Sequence, residues 1–440
     1  MAGGSRGAAR WAVAAFVVAN VVIVEVLFFT AGPGKNPTLT VAKFFGVHAA
    51  LTAAVQVLLV SRLPWVERRI GMDRLTGWHR WVGFALVWTV LTHAVTVVLG
   101  YSALGGESAG ATFLSLAAVP ASLLGMLAAA LFVGVAATSA RRVRRRLRYE
   151  TWHGVHLLLY VALLLALVHQ LLETTTFTAS VVAAVYWWSL VLFAFGSLIV
   201  GRVVIPVRRN RYHQFRVSAV VPESRDAVSV YVVGRHMEEL PARAGQFCVW
   251  RFPGHRHWWK ANPFSLSAAP TGRGLRLTAK AVGEGSAGLR GLKVGERVFV
   301  EGPYGAFTSM RRTRPGVLLV AGGVGITPIR SMLEEQPVGD QPVGDVVVLY
   351  RVRDQGEAVL LREVRELVAA RRGRLHLVTG PRAPGLPSFD PAAVHALVPD
   401  VALRDVYVCG PPAMTDTVVA TLRTLGVPKS QVHTEKFSLA

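Results

Sequence analysis

Six apolar stretches within residues 11–205 decide what this chain can be. A bilayer core requires about 20 apolar residues in a helix. The stretches lie near 11–30, 41–62, 78–100, 111–138, 150–172 and 177–205, so the spacing predicts six membrane spans. The first is longer than a secretory signal core and lacks a persuasive cleavage site before the next stretch, so it reads as a retained helix. Hydrophobic residues make up 52% of the chain and charged residues 17%, whereas soluble domains carry about a quarter charged. This composition argues against a purely soluble protein.

The net charge of +22 raises nucleic acid as a partner, but the placement of the charges argues against it. Nineteen basic and six acidic residues precede Tyr212, and the basic ones sit between apolar runs. Arg6 and Arg10 precede the first span, Arg62, Arg68, Arg69 and Arg74 follow the second, and Arg141, Arg142, Arg144, Arg145, Arg146 and Arg148 join the fourth to the fifth. Basic loops stay on the cytoplasmic side, which predicts a multi-pass protein of the plasma membrane with both termini inside. Trp65, Trp78, Trp81 and Trp152 fall near the expected inner interface, where amphipathic rings settle. The two cysteines, Cys248 and Cys409, are far apart and in no metal-binding spacing, so a thiolate cluster and a disulfide framework are both excluded.

Six of the thirteen histidines, His48, His79, His93, His153, His156 and His169, lie in or at the ends of expected spans. Polar groups at that depth are functional candidates. His79 and His93 are 14 residues apart, roughly 40° in azimuth and 21 Å along a helix. His156 and His169, 13 apart, match that rise but differ by about 140° in azimuth, and His153 fits no better. His79 is level with His156 and His93 with His169, so two bis-imidazole sites are expected, stacked across the bilayer and suited to two b-type haems. Alone, each histidine reads equally well as a structural hydrogen-bonding group. His48 is expected to be structural, and Glu25, near a span end, reads as a snorkelling side chain without a role.

Beyond Pro206 the texture changes to short β-rich runs punctuated by Gly and Pro, as in 215–221, 228–233, 275–282 and 297–300, which predicts an antiparallel β-barrel. From Gly316 the pattern becomes strand, glycine turn, helix, strand, helix: 317–320, 322–328, 329–335, 346–350 and 360–370. That is an open α/β nucleotide-binding design. The expected domains are 1–206, a six-helix transmembrane bundle; 207–312, the barrel; and 313–440, the α/β domain. In the turn from Gly322 to Pro328, backbone amides can approach a pyrophosphate without a Cβ in the way. A second turn, Gly283-Glu284-Gly285-Ser286, offers another anion site.

Asn262-Pro263-Phe264-Ser265-Leu266-Ser267, Gly302-Pro303-Tyr304-Gly305, the Gly322 to Pro328 turn, Cys409-Gly410-Pro411-Pro412 and Glu435-Lys436-Phe437 together resemble the ferredoxin-NADP reductase superfamily. With the histidine pairs, the whole chain resembles the ferric reductase and NADPH oxidase family. The resemblance implies that Phe264 lies along a flavin with Asn262, Pro263 and Ser265 beside it, Ser265 near its N5 edge. It also implies that Gly283, Gly285 and Ser286 hold FAD phosphates and that Phe437 covers the other flavin face. Gly322, Gly323, Gly325, Thr327 and Pro328 would hold the dinucleotide, while Cys409, Gly410, Pro411 and Glu435 would adjoin the nicotinamide. The flavin motif commonly begins with His or Arg; Asn262 can donate through its amide but brings no cationic charge. After the second strand of the α/β domain, Arg351 and Arg353 suit the 2′-phosphate of NADPH, while Asp354 suits NADH.

The expected activity is electron transfer from NAD(P)H through FAD and two haems to an acceptor at the outer face. Ferric chelate comes first by family; dioxygen, a quinone or a dedicated extracytoplasmic protein are the alternatives. A transporter gated by nucleotide is a rival class, against which four depth-matched histidines stand.

Overall fold

The computed structural model describes residues 2–144, 146–147, 149–254, 262–281, 284–338, 345–380 and 389–436. Two compact units divide the chain, 3–203 and 204–439.

The first unit is helical. Its elements are α1 (Ala2–Thr30), α2 (Pro37–Leu59), α3 (Pro64–Ile70), α4 (Met72–Gly105), α5 (Ala109–Ala117), α6 (Pro120–Ser139), α7 (Arg141–Arg144), α8 (Tyr149–Glu173) and α9 (Val181–Ile199). Among the described residues, six helices are long and apolar enough to cross a membrane. The expected fourth span, 111–138, is two helices: Pro120 opens α6, with Val119 in extended conformation before it. Proline lacks the N–H that a helix interior needs but suits a first turn. The sixth span also differs: after α9 the helix widens into a π turn, Val200–Val204, and continues as α10 (Ile205–His213) through Pro206.

Two helix clusters make up the unit. One packs α1, α2 and α9 around Val24, Leu51, Val55, Trp187 and Leu190; the other packs α4, α6 and α8 around Leu86, Ala128, Phe132 and Ala162. In lipid every backbone polar group needs an internal partner, and the helix ends show how this is met. Asn36 caps α2 by accepting from Leu39 N at 2.8 Å, and its amide donates to Gly100 O at 2.8 Å. Lys43 Nζ donates to the carbonyls of Ala31 and Gly32 at 3.1 and 2.8 Å, closing the end of α1. Tyr186 donates to Asn20 Oδ1 at 3.0 Å and ties α9 to α1.

The second unit begins with α10, whose Asn210 side chain donates to Val300 O at 2.7 Å and accepts from Val300 N at 2.8 Å. Six strands follow: β1 (Arg216–Pro222), β2 (Ala227–Val233), β3 (Phe247–Arg251), β4 (Asn262–Ser265), β5 (Leu275–Lys280) and β6 (Phe299–Tyr304), with the short α11 (Glu284–Ala287) between the last two. They form two antiparallel sheets, β1-β2-β5 and β4-β3-β6, around one core containing Phe215, Trp250, Leu266 and Leu277.

The remainder is a five-stranded parallel sheet of order β11-β10-β7-β8-β9. Its chain order is β7 (Val317–Gly322), α12 (Ile326–Glu335), β8 (Val346–Arg351), α13 (Leu361–Ala370), β9 (Arg374–Val378), α14 (Pro391–Leu397), β10 (Asp405–Gly410), α15 (Pro412–Thr424) and β11 (Val432–Lys436). Successive strand residues point to opposite faces. Val317 and Leu319 meet α12 and α13 on one side, and Leu318 and Val320 meet α14 and α15 on the other. Such burial on both faces explains the unbroken apolar run that marked β7.

Candidate electron-transfer sites

In the helical unit the four histidines form two facing pairs. The ring centres of His79 and His156 are 6.2 Å apart, and those of His93 and His169 are 6.4 Å apart. His156 is the ring that meets His79; His153 is exposed and adjoins Trp152. The 140° offset expected between His156 and His169 does not separate the pairs. Helix α8 runs unbroken with no widened turn, so side-chain torsions take up the difference.

The His93 and His169 pair is the better anchored. His93 Nδ1–H donates to Ala42 O and His169 Nδ1–H to Ala121 O, each at 2.8 Å. Both acceptors lie on neighbouring helices, α2 and α6, and both bonds set the tautomer that leaves Nε2 unprotonated. Two glycines make room for these rings: a Cβ at Gly46 or at Gly125 would lie 2.9 Å from the imidazole of His93 or His169. Sequence reasoning missed both, although glycine inside an apolar helix is itself a signal of close approach.

The His79 and His156 pair is held differently. Gln56 Nε2 donates to His79 O at 3.0 Å and lies 3.4 Å from His79 Nε2. Trp152 stacks on His156 with centres 5.0 Å apart and donates to Ser139 Oγ at 3.2 Å, while the Arg144 guanidinium lies over the indole at 4.5 Å from its centre. The buried Nδ1 atoms of His79 and His156 have no hydrogen-bond partner among the described residues.

Two imidazoles that each place a nitrogen about 2 Å from one metal have ring centres roughly 6 Å apart, so each pair has a separation at which its two rings could hold one metal between them. Glu25 and His48 also meet, Nε2 to Oε1 at 3.3 Å, and His48 Nδ1 donates to Phe44 O at 2.9 Å. Glu25 thus has a specific partner, which the sequence reading did not foresee.

In the second unit the glycine turn stands at the carboxyl ends of β7 and β10. The order β11-β10-β7-β8-β9 reverses direction at β7, which makes this the switch point where ligands bind in open α/β sheets. Helix α12 opens at Ile326, three residues earlier than expected, so Thr327 and Pro328 lie in its first turn. Thr327 donates to Val324 O at 3.0 Å. Gly323 has φ +55°. A Cβ at Gly325 would lie 2.2 Å from Cys409 O, and one at Gly410 would lie 3.2 Å from Gly322 Cα. Backbone therefore meets backbone here, and the turn is a cradle that side chains would fill.

Cys409 pairs in register with Ala321 on one side and Glu435 on the other. Burial, with the charge of Glu435, raises its thiol well above the ordinary range, so it stays protonated and is no nucleophile. Pro411 is exposed and precedes α15. Asn262 Nδ2 donates to Trp250 O at 3.3 Å, Trp250 Nε1 donates to Phe264 O at 3.1 Å, Pro263 is exposed and Ser265 is buried. Gly285 and Ser286 lie in α11. Gly283 and Phe437 lie outside the described residues.

Arg351 donates to Gly380 O at 2.8 Å and also to Val352 O, Arg353 pairs with Glu357 at 2.6 Å, and Asp354 accepts from Gly356 N at 2.7 Å. Both guanidinium groups thus already have acceptors. Sequence reasoning also missed a charged cluster that joins β5 to α12 and α13. Arg276 meets Glu363 at 3.0 Å, Arg330 Nε meets Glu363 at 2.8 Å, and Arg330 also pairs with Glu334.

Residues 45–167 match the ferric reductase like transmembrane component family, and residues 319–420 match the oxidoreductase NAD-binding domain. The chain joins a ferric reductase-like transmembrane domain to a ferredoxin-reductase-type FAD/NAD module. It is 31% identical over 229 residues to the ferredoxin reductase component of 3-ketosteroid-9-alpha-monooxygenase from Rhodococcus rhodochrous, which covers 50% of this chain and 64% of that one. It is 32% identical over 184 residues to the flavohemoprotein of Vibrio cholerae, covering 40% and 45%. It is also similar to the solved flavohem-like FAD/NAD binding domain of nitric oxide dioxygenase from Vibrio cholerae, with 26% identity, a TM-score of 0.43, and coverage of 52% and 99%. The chain spans just under two thirds of the first curated relative it matches. The six apolar helices and the transmembrane family match make it a multi-pass membrane protein, and the later match gives it a stretch similar to an oxidoreductase NAD-binding domain.

Proposed function

We propose that this chain carries electrons across the membrane, from cytoplasmic NAD(P)H through FAD and two b-type haems to an acceptor at the outer face. The observation that supports this most is the pair of stacked bis-imidazole sites, with ring centres 6.2 and 6.4 Å apart. His79 and His156 would hold the inner haem, His93 and His169 the outer. The arginine-rich loops set inner and outer by the positive-inside rule. When bound, FAD supplies the conversion of a two-electron donor to one-electron steps, and haem iron takes electrons singly.

The chain's own residues bind and orient. Residues 207–312 hold the flavin, with Phe264 along it, and 313–440 hold the dinucleotide in the cradle of Gly322, Gly323 and Gly325. Cys409 and Glu435 flank the nicotinamide, and the buried neutral thiol contributes shape rather than a proton. No general acid or base is needed. Ferric chelate is the proposed acceptor, and superoxide formation from dioxygen is the alternative. A dedicated extracytoplasmic protein is a second reading, favoured by relatives that are reductase components of monooxygenase systems.

A reduced-minus-oxidised absorbance spectrum of the purified protein, with haem quantified per chain, tests the proposal. Two b-type haems per chain are expected. Protein that holds no haem overturns it, whether or not flavin colours it.

A further inference from the structure

The two imidazole pairs differ in what stands behind each ring, and that difference has a redox direction. Behind the rings of His93 and His169 are backbone carbonyls at 2.8 Å, each accepting Nδ1–H. Such an acceptor draws the proton away from the ring and makes the opposite nitrogen a stronger donor to a metal. A stronger donor favours the oxidised metal and lowers its reduction potential, since hydrogen bonding around the ligands is one of the levers on haem potential.

Behind the rings of His79 and His156, no such acceptor stands among the described residues. Nδ1 of each is buried without a partner. The group nearest the other nitrogen of His79 is again a donor, Gln56 Nε2 at 3.4 Å. The orientation of that amide is fixed, because the same Nε2 donates to His79 O at 3.0 Å. Whichever nitrogen faces the metal, the remaining one on His79 lacks an acceptor. His156 is held by ring stacking on Trp152, with centres 5.0 Å apart and planes 27° apart. Stacking fixes a ring plane without withdrawing a proton. The His79 and His156 pair is thus oriented by an amide and an indole, and the His93 and His169 pair by two carbonyls.

We infer that Gln56 and Trp152 are positioning residues that keep the His79 and His156 site at a higher reduction potential than the His93 and His169 site. This rests on the haem reading above. An electron entering the half-reduced protein then resides mainly on the arginine side, and the far site is the stronger reductant, which suits it to face an external acceptor.

The test is a potentiometric titration of the purified full-length protein, followed by optical and electron paramagnetic resonance spectra, with haem content measured first. Absence of haem would defeat the underlying reading and is detected before any potential is recorded. With two haems present, two resolved steps are expected, at least a tenfold difference in equilibrium constant, about 59 mV for one electron. His169→Ala, which leaves one site, assigns the higher step to His79 and His156. Gln56→Glu places a carboxylate acceptor at the His79 ring, so the higher step alone moves down. Equal potentials, the reverse order, or a Gln56→Glu shift confined to the lower step would each overturn the inference. Should His169→Ala fail to accumulate, the Gln56→Glu shift in the intact two-haem protein carries the assignment.

Discussion

The two units place their chemistry in opposite ways. In the helical unit the candidate site consists of side chains, four imidazoles in an apolar bundle, each made distinct by the hydrocarbon around it. In the second unit it consists largely of backbone, a turn where the absence of side chains lets β7, α12 and β10 approach closely. Glycine appears in both with different neighbours. Gly46 and Gly125 clear space for movable rings, whereas Gly325 clears space for the fixed carbonyl of Cys409. A side chain can rotate away from an intruding methyl; a strand carbonyl held in a parallel ladder has nowhere to go.

That contrast ranks three substitutions. Gly325→Ala should have the largest effect, because its Cβ would lie 2.2 Å from Cys409 O. Overpacking of this kind costs up to about 3 kcal/mol or more, and the expected result is loss of NAD(P)H-driven flavin reduction with reduced protease resistance of the second unit. Unchanged turnover would show that the turn can shift as a body. Gly46→Ala and Gly125→Ala should each cost less, about 1–3 kcal/mol, and should displace one ring. Haem content should fall from two per chain toward one, while flavin reduction by NAD(P)H stays within about twofold, since the cradle is untouched. Equal loss of both activities would erase the proposed separation between the units.

The same contrast explains what was legible in the sequence. Histidine inside an apolar run is conspicuous by type, and a 14 or 13 residue spacing fixes depth because helix rise is regular. Azimuth was not legible, since ring position depends on torsions that a helical wheel ignores. Gln56 went unread as a support of the His79 ring because it lies on α2 and His79 on α4, whereas Trp152, one turn before His156 on α8, was open to reading as its neighbour and was read only as an interface residue. The glycine turn was legible through its order after a β-rich run, but its boundary was not, because Thr327 and Pro328 are acceptable both in a turn and in a first helical turn. The split fourth span shows proline deciding where length alone gave one helix. The Arg276, Glu363 and Arg330 cluster left no sequence trace, since its members come from β5, α13 and α12.

That cluster gives a prediction with a pH signature. Burial alone would raise the Glu363 carboxyl; the hydrogen bond and charge of Arg276, together with Arg330, hold it below the ordinary carboxylate range instead. A group with a depressed folded pKa contributes stability that is fully present above its unfolded pKa and is lost as pH falls through the folded value. Glu363→Gln should therefore destabilise the second unit at pH 7 by on the order of 2 kcal/mol. This is less than the about 3–5 kcal/mol of a fully buried pair, because Glu363 is 31% exposed. Thermal melts of mutant and native protein should converge as the pH drops below the ordinary carboxylate range. A gap that persists unchanged at low pH would show that shape, not charge, is what Glu363 contributes. The helical unit, whose candidate site holds no carboxylate among its four rings, should show the same haem content in both proteins.

The smallest expected effect concerns the dinucleotide. Arg353 is exposed and paired with Glu357, which also meets Lys280 at 3.3 Å. A guanidinium already holding a carboxylate must exchange it for a 2′-phosphate, and an exposed pair of this kind is worth about 0.2–1 kcal/mol. Glu357→Gln releases Arg353 and should raise the ratio of kcat/KM for NADPH over NADH by about two- to fivefold. Arg353→Ala should lower that ratio if the guanidinium reaches the phosphate in the native protein. A ratio indifferent to both substitutions would assign the choice to Arg351, whose guanidinium is held by Gly380 O at 2.8 Å just after β9.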